Sequence, residues 1–482
     1  MVDEPVVQKA TIERRLSMPL PRRRFLELSA YGSLAAFLAA CGASGTAAPS
    51  VAASSVAAPS VAAPSVAGSA TPAGSAGAKP TIDIAMAQLS ASNLLTYWSD
   101  LATAWNASGG AFQVNLNITP EADPEFTTAY RTLLAGNNPP DICTVPGGGR
   151  VIGDIVNAGL VLDLTSYSTK YGWQQRYLNG FYDGLLTNGK FYSVCYGAVP
   201  YGFIWYNKAL FSQLGIVVPA NRKTTQAQLI DWVGRVRGSG LEGISLGNQQ
   251  AALGSHIYSM EAMRVMPKDV LAQLDNALWK EGTAKWTDPG PIKAATATQE
   301  MFKLNLWSKG VNTMAEGDAL TQFAQKKSAM IYAGYWGVIT IPANAPTMDF
   351  DFFQFPDLDP TIPTSIVNSA GYVNVVSAQT KHPDEVAAFL DFAISTAGQR
   401  LLFEGGYGPA VVALPSDVKL PNPHWADLLS VFAADQNLPS MFAAEAPASV
   451  VTVGEQTLQG LFNQTITPEQ WCMGMQTAID AA

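Results

Sequence analysis

The chain predicts an α/β protein with mostly parallel sheets, divided into two large lobes. Two observations carry this reading. Strand-like and helix-like segments alternate through the folded part, the pattern of parallel sheets linked by crossover helices. Once a low-complexity N-terminus is set aside, about 400 residues remain, Lys79 to Ala482, enough for two units at the usual ~100–200 residues each.

Read from its start, the chain opens on Pro21-Arg22-Arg23-Arg24-Phe25-Leu26-Glu27, then an apolar run, then Leu38-Ala39-Ala40-Cys41-Gly42. The apolar stretch Leu28 to Ala40 is too short for a permanent span, which needs about 20 residues, and reads as the core of a signal peptide. The arginines resemble a twin-arginine export signal and Leu-Ala-Ala-Cys a lipobox. The expectation is a signal peptide over 1–40 and a mature protein lipidated on Cys41. Residues 41–78 hold little but Ala, Ser, Pro, Val and Gly. Such a segment buries too little to offset its ordering entropy and reads as a tether.

Thr81 to Met86 then reads as a strand and Leu94 to Trp105 as a helix. Val114 to Ile118 alternates at period two. Asp123-Pro124-Glu125 opens a helix with a cap, a first-turn proline and acidic charge, and Gly136 closes it. Asp141 to Val145 is a short strand. Asn207 caps a helix ending at Gly215. Thr225 to Gln228 and Thr467 to Gln470 are both capping boxes.

The formal charge is −9, and residues 1–40 carry six basic and four acidic side chains, so removing that net +2 leaves −11 on the mature chain. An acidic surface argues against nucleic acid and against peripheral binding to anionic lipid. Four cysteines are present, with no CxxC, and the three histidines are far apart, so no cysteine- or histidine-based metal site or cofactor is expected. Of Cys143, Cys195 and Cys472, only the first two are placed to form a disulfide, both at strand ends of one proposed lobe.

The segment Gly189-Lys190-Phe191-Tyr192-Ser193-Val194-Cys195-Tyr196-Gly197 leads into Tyr201-Gly202-Phe203-Ile204-Trp205-Tyr206-Asn207-Lys208. Leu134 to Asp141 carries a Gly-x-x-Pro-Pro-Asp step. Phe323-Ala324-Gln325-Lys326-Lys327-Ser328-Ala329-Met330 precedes Gly334-Tyr335-Trp336. Gly371-Tyr372-Val373, Lys381 to Leu390 and Tyr407-Gly408-Pro409-Ala410 follow. In this order these motifs resemble the type 1 extracellular solute-binding proteins of ABC importers, which include maltodextrin-binding proteins. The resemblance covers roughly residues 80–480. It implies a type II periplasmic-binding-protein fold of two lobes, with ligand in the cleft and an ABC permease as partner. It maps 79–199 plus 356–400 to one lobe and 200–355 plus 401–482 to the other, with crossings near Val199-Pro200 and Phe355-Pro356. Lobe closure around ligand is the implied mechanism.

A sugar presents apolar faces and a rim of hydroxyls, so its site needs flat aromatic surface and fixed polar groups. Aromatic residues cluster beside glycine at predicted strand ends, where ligands bind in such sheets. Trp336 leads the candidates, because it matches the family's Gly-x-Trp. Tyr335 beside it is expected to point the other way. Tyr372, Tyr407, Tyr196 and Tyr201 are further aromatic candidates, while Trp205 and Tyr206 read as packing. Gln88, Ser90 and Asn93 follow the first strand, Gln249 follows Ile244-Ser245-Leu246, and Arg150 follows three glycines. The family's maltodextrin binders carry an Asp-Arg pair near Arg150 and an aromatic near Val145-Pro146. This chain lacks both features, which favours a smaller sugar or another polyol.

Three other classes stay open, one of them a tethered sensor or adhesin of the same fold. A binding protein for a polyamine, glycerol phosphodiester or peptide would share the fold, and so would need charged cleft residues to tell it apart. A secreted carbohydrate-active enzyme would need two positioned carboxylates. The chain has no His-Glu-x-x-His and no phosphate loop, and an enzyme is not the expectation.

Overall fold

The computed structural model describes residues 79–482, apart from 89–93, 110–111, 149–150, 179–180, 371, 435, 439–441 and 444–445. The signal-peptide and tether readings over 1–78, including Cys41, lie outside the described residues.

Along the chain, β1 (Thr81–Gln88), α1 (Leu94–Ala107), β2 (Gln113–Ala122), α2 (Asp123–Ala135) and β3 (Ile142–Pro146) alternate as expected. Next come β4 (Ser193–Cys195), β5 (Val199–Tyr201), β6 (Phe203–Asn207) and α3 (Lys208–Gln213). They are followed by α4 (Gln226–Gly238), β7 (Glu242–Ser245), α5 (Ala252–Val265), α6 (Glu316–Ala324), β8 (Ser328–Ala333), α7 (Gly337–Asn344) and β9 (Phe350–Gln354). The last elements needed here are β10 (Ser365–Ser369), β11 (Tyr372–Val376), α8 (Pro383–Ala393), α9 (Thr396–Glu404), β12 (Gln436–Leu438) and α10 (Pro468–Ala481). Three of the caps act as read. Asn207 Oδ1 accepts from Leu210 N at 3.0 Å, and Thr225 and Thr467 both head complete capping boxes.

Three sheets organise these strands. The first lobe holds β2-β1-β3-β11-β4 and the second β9-β6-β8-β7. Between them, β12-β10-β5 forms a small sheet. In it, β5 and β10 run antiparallel, with Val367 opposite Tyr201 and Ser369 opposite Val199. These two strands are the crossings.

The expected parallel pairing holds for β2-β1-β3 and for β7-β8. The strands that leave a crossing run the other way. β6 leaves β5 through Gly202 and β11 follows β10, so each starts at the cleft where its neighbours end, and each pairs antiparallel. Gly202 has φ +112, and a Cβ there would lie 2.7 Å from Met260 Cε, so the turn out of the crossing requires glycine.

The second crossing lies at Ser365–Ser369 rather than at Phe355-Pro356. Phe355 and Val367 belong to the second-lobe core, with Leu358 packed against it. Arg264, at the end of α5 and 1% exposed, holds this return segment. It donates to Ser365 O at 2.7 Å and Phe355 O at 3.2 Å, and pairs with Asp357 at 3.1 Å. Residues 401–412 also depart from the expected division, since Leu402, Val411 and Val412 sit in the first-lobe core.

Cys143 and Cys195 do not approach each other. β11 lies between their strands, pairing Val375 with Cys143 and Val373 with Cys195. Two strand spacings are about 9.5 Å, beyond the roughly 7 Å that a disulfide spans. All three described cysteines are free and buried. No single described helix is long and apolar enough to cross a membrane.

Candidate functional site

The ends of the lobe sheets that face the crossing strands carry two aromatic walls. In the second lobe, β8 ends at Ala333, and Tyr335 N donates to Pro200 O of the first crossing at 2.9 Å. Trp336 then folds back over the chain. A Cβ on Gly334 would lie 1.9 Å from the Trp336 ring, so the Gly-x-Trp spacing exists to let the indole rest on bare backbone. Trp336 is half-buried, and its Nε1 donates to Glu316 Oε1 at 2.8 Å. Desolvation raises the Glu316 carboxyl above its ordinary pKa, while the indole N–H opposes that rise. Behind stand Tyr201 and His256, stacked with ring centroids 3.9 Å apart and planes 13° apart. His256 lies 6.0 Å from the Trp336 ring.

The first-lobe wall repeats the device. A Cβ on Gly405 would lie 2.1 Å from the Tyr407 ring. Tyr407 OH donates to Asp100 Oδ2 of α1 at 2.9 Å. Its ring lies 6.0 Å from Tyr97, which stacks with Tyr196 at 6.0 Å. Trp98 meets Tyr196 edge-on at 5.0 Å. Tyr335 joins the walls. Its ring stands at 84° to Trp336, and its hydroxyl donates to Tyr407 O at 3.4 Å. Tyr196, Tyr335, Tyr372, Leu402 and Tyr407 enclose a gap of about 20 Å³. That is room for one water and not for a sugar ring, so ligand would have to lie on the wall surfaces between the lobes.

Trp336, Tyr372 and Tyr407 keep exposed surface; Tyr372 and Tyr407 line one gap with Tyr335, whose ring meets Trp336. Tyr196 and Tyr201, expected as ligand contacts, are each 2% exposed and form the backing of the walls. Both sit where a strand meets a lobe core, which covers their faces. Trp205 is buried, with its Nε1 on Gly334 O, and Tyr206 packs on Phe211, as their packing role requires. Gln249 is exposed on the second-lobe rim, its N–H bonded to Met314 O at 3.0 Å. Gln88 ends β1, while Ser90, Asn93 and Arg150 lie outside the described residues.

Sequence reading missed His256, Glu316 and Asp100. The acids carry no local motif, and each meets its ring through contacts 20 and 307 residues apart in the chain. Among the described residues, Asp351, His424 and Asp427 have ligand atoms within 4.8 Å of one another. Arg222 bonds both aspartates, to Asp427 at 2.7 Å, so a guanidinium already fills the place a cation would take.

The pattern of the bacterial extracellular solute-binding proteins matches residues 61–400, and the chain belongs to that family. The family is extracytoplasmic, as its description states. The multiple sugar-binding protein of Streptococcus mutans is 22% identical over 306 residues, covering 62% of this chain and 68% of that one. Among solved structures, a chitin oligosaccharide binding protein superposes with TM-score 0.69 at 21% identity, over 83% of this chain and 98% of the other. A solute-binding protein in complex with raffinose gives 0.63 at 18% identity, over 83% and 99%. These structures share the two-lobe fold.

Proposed function

We propose that this chain is the membrane-tethered receptor of an ABC importer. It captures a sugar between its lobes, closes on it and presents it to the permease, without catalysing a reaction. The observation that carries this reading is the pair of glycine-backed aromatic rings, Trp336 packed against the second-lobe core and Tyr407 against the first. Flat rings with their polar atoms already tied to acids offer apolar platforms for the C–H faces of a pyranose. Tyr372 and Gln249 supply further contacts, and Gln88, Ser90, Asn93 and Arg150 are the proposed polar groups from the first-lobe loops. Relatives named for multiple sugars, chitin oligosaccharide and raffinose support a carbohydrate.

A thermal-shift screen of mono- and oligosaccharides tests the reading. A ligand that binds only the folded chain adds about 2.7 kcal/mol of apparent stability at a hundredfold excess over Kd. A panel without any shift, or glycosidase turnover by the purified protein, would count against it.

The tether follows from the lipobox. Mass spectrometry of membrane-extracted protein should show loss of residues 1–40 and a diacylglyceryl group on Cys41. Cys41→Ala should release the protein or block its processing; unmodified soluble protein from cells with intact lipoprotein machinery would refute the anchor.

A further inference from the structure

We propose that His256 is a ligand-contacting hydrogen-bond group of the second-lobe wall, and that this wall takes an uncharged polyhydroxylated ligand rather than an anionic one. The inference rests on the receptor reading above and narrows it.

His256 lies in the second turn of α5, beside the mouth of the second-lobe sheet. One ring face is covered by Tyr201, and Trp336 stands across from it at 6.0 Å. Those contacts fix the imidazole plane without using either nitrogen. Nδ1 is buried and has no hydrogen-bond partner among the described residues. Buried polar atoms in folded proteins are nearly always satisfied, and an exception calls for a missing partner. Nδ1 itself is covered, while the residue keeps part of its surface open beside the half-buried Trp336, so a partner from the cleft meets the ring at that open surface.

The chemistry of the wall says what the partner is. Packing pushes the His256 pKa down to about 3, so the ring is neutral at any ordinary pH. A neutral imidazole carries one N–H donor and one acceptor. A sugar hydroxyl also donates and accepts, and the two match. A carboxylate or phosphate would want an imidazolium, which this packing disfavours. Glu316, bonded to Trp336 on the same wall, adds a carboxyl group and no cation to meet an anionic ligand.

The test is calorimetric titration of the chain with uncharged sugars (glucose, galactose, xylose, chitobiose, raffinose) beside glucuronate, galacturonate and glucose 6-phosphate. At least one uncharged sugar should bind, and its charged counterpart at least tenfold more weakly. His256→Phe keeps the stack on Tyr201 but removes both nitrogens, and should weaken binding at least tenfold. His256→Gln, whose amide donates and accepts, should recover part of that loss. Should the variants fold poorly, ring ¹⁵N signals of the wild-type histidine serve instead, and they should shift when the binding sugar is added. Normal binding by folded His256→Phe, or unmoved ring signals at saturation, would overturn the role of His256 and leave the receptor reading standing. Tighter binding of an anionic sugar would overturn the ligand class. Failure of every compound to bind would overturn the receptor reading and this inference with it.

Discussion

The two aromatic walls use one local construction on different foundations. In each, a glycine two residues earlier lets a ring lie on bare backbone, and an acid from a distant segment ties down the polar atom of the ring: Glu316 for Trp336, Asp100 for Tyr407. Behind Tyr407 stand Tyr97, Trp98 and Tyr196, all buried and packed ring on ring. Behind Trp336 stands a histidine whose buried nitrogen has no hydrogen-bond partner among the described residues. The first foundation is built of phenol and indole rings, and in it Tyr97 Oη and Trp98 Nε1 are likewise buried without a hydrogen-bond partner among the described residues. The second places an imidazole behind its ring instead. A local motif therefore sets how a ring is held, and what packs behind it sets what the wall can recognise.

The strongest way to break this comparison is Trp336→Ala. A buried aromatic hot spot contributes about 2 kcal/mol or more, so binding should weaken about thirtyfold in titration. The melting temperature should move little, since a half-buried ring leaves no enclosed cavity. Tyr407→Ala should have the smaller binding effect. A Trp336→Ala protein that unfolds yet binds normally when folded would place the indole in the core and move the site to Tyr372, Tyr407 and Gln249.

Gly334→Ala and Gly405→Ala test the shared construction. Each new methyl would overlap its ring, and overpacking of this kind costs about 1–3 kcal/mol. Gly334→Ala should lower both the denaturation midpoint and ligand affinity, with changed tryptophan fluorescence. Unchanged fluorescence would mean that the indole does not rest on Gly334.

Acid and base separate the foundations further. The folded pKa of His256 lies well below its ordinary value, so its contribution to stability is present above about pH 6.5 and declines as pH falls toward 3. Glu261, on the same helix, behaves oppositely. Its carboxyl is fully buried and neither oxygen has a described hydrogen-bond partner. Burial raises its pKa to about 8 against the opposing pull of Arg264. Its contribution is present below about pH 4.5 and is lost as pH rises toward 8. Urea unfolding across pH should show Glu261→Gln gaining relative stability on the alkaline side, by at most about 1.4 kcal/mol per pH unit. His256→Phe should flatten the acid side. Parallel wild-type and variant curves would refute both assignments.

The smallest effect belongs to the ties. Tyr407→Phe removes one exposed hydrogen bond to Asp100 and should cost about 1 kcal/mol or less by chemical denaturation. Asp100→Asn should match it, and a double-mutant cycle reads their coupling.

Much of this molecule was legible in its residues. The alternation of strands and helices, the Asn207 cap and both capping boxes, and the Gly-x-aromatic steps all depend on atoms a few residues apart, and a chain states such contacts directly. The family motifs put forward Trp336 and Tyr407 for the same reason, and the structure seats both rings on glycine backbone with part of their surface open. Other features depend on residues far apart in the chain. Tyr196 and Tyr201 carry the same glycine-flanked signature as the exposed rings, and only packing shows them buried. The second crossing falls at β10 because Phe355 is drawn into the second-lobe core and Arg264 holds the segment beyond it. Cys143 and Cys195 are kept apart by β11, a strand some 180 residues downstream of the second of them. Glu316, Asp100 and His256 reach their rings through the folded chain and not along it. Local propensity and spacing determine which elements form and how a ring is seated; which face of that ring meets solvent, and which polar group waits behind it, is decided only when distant segments exclude water together.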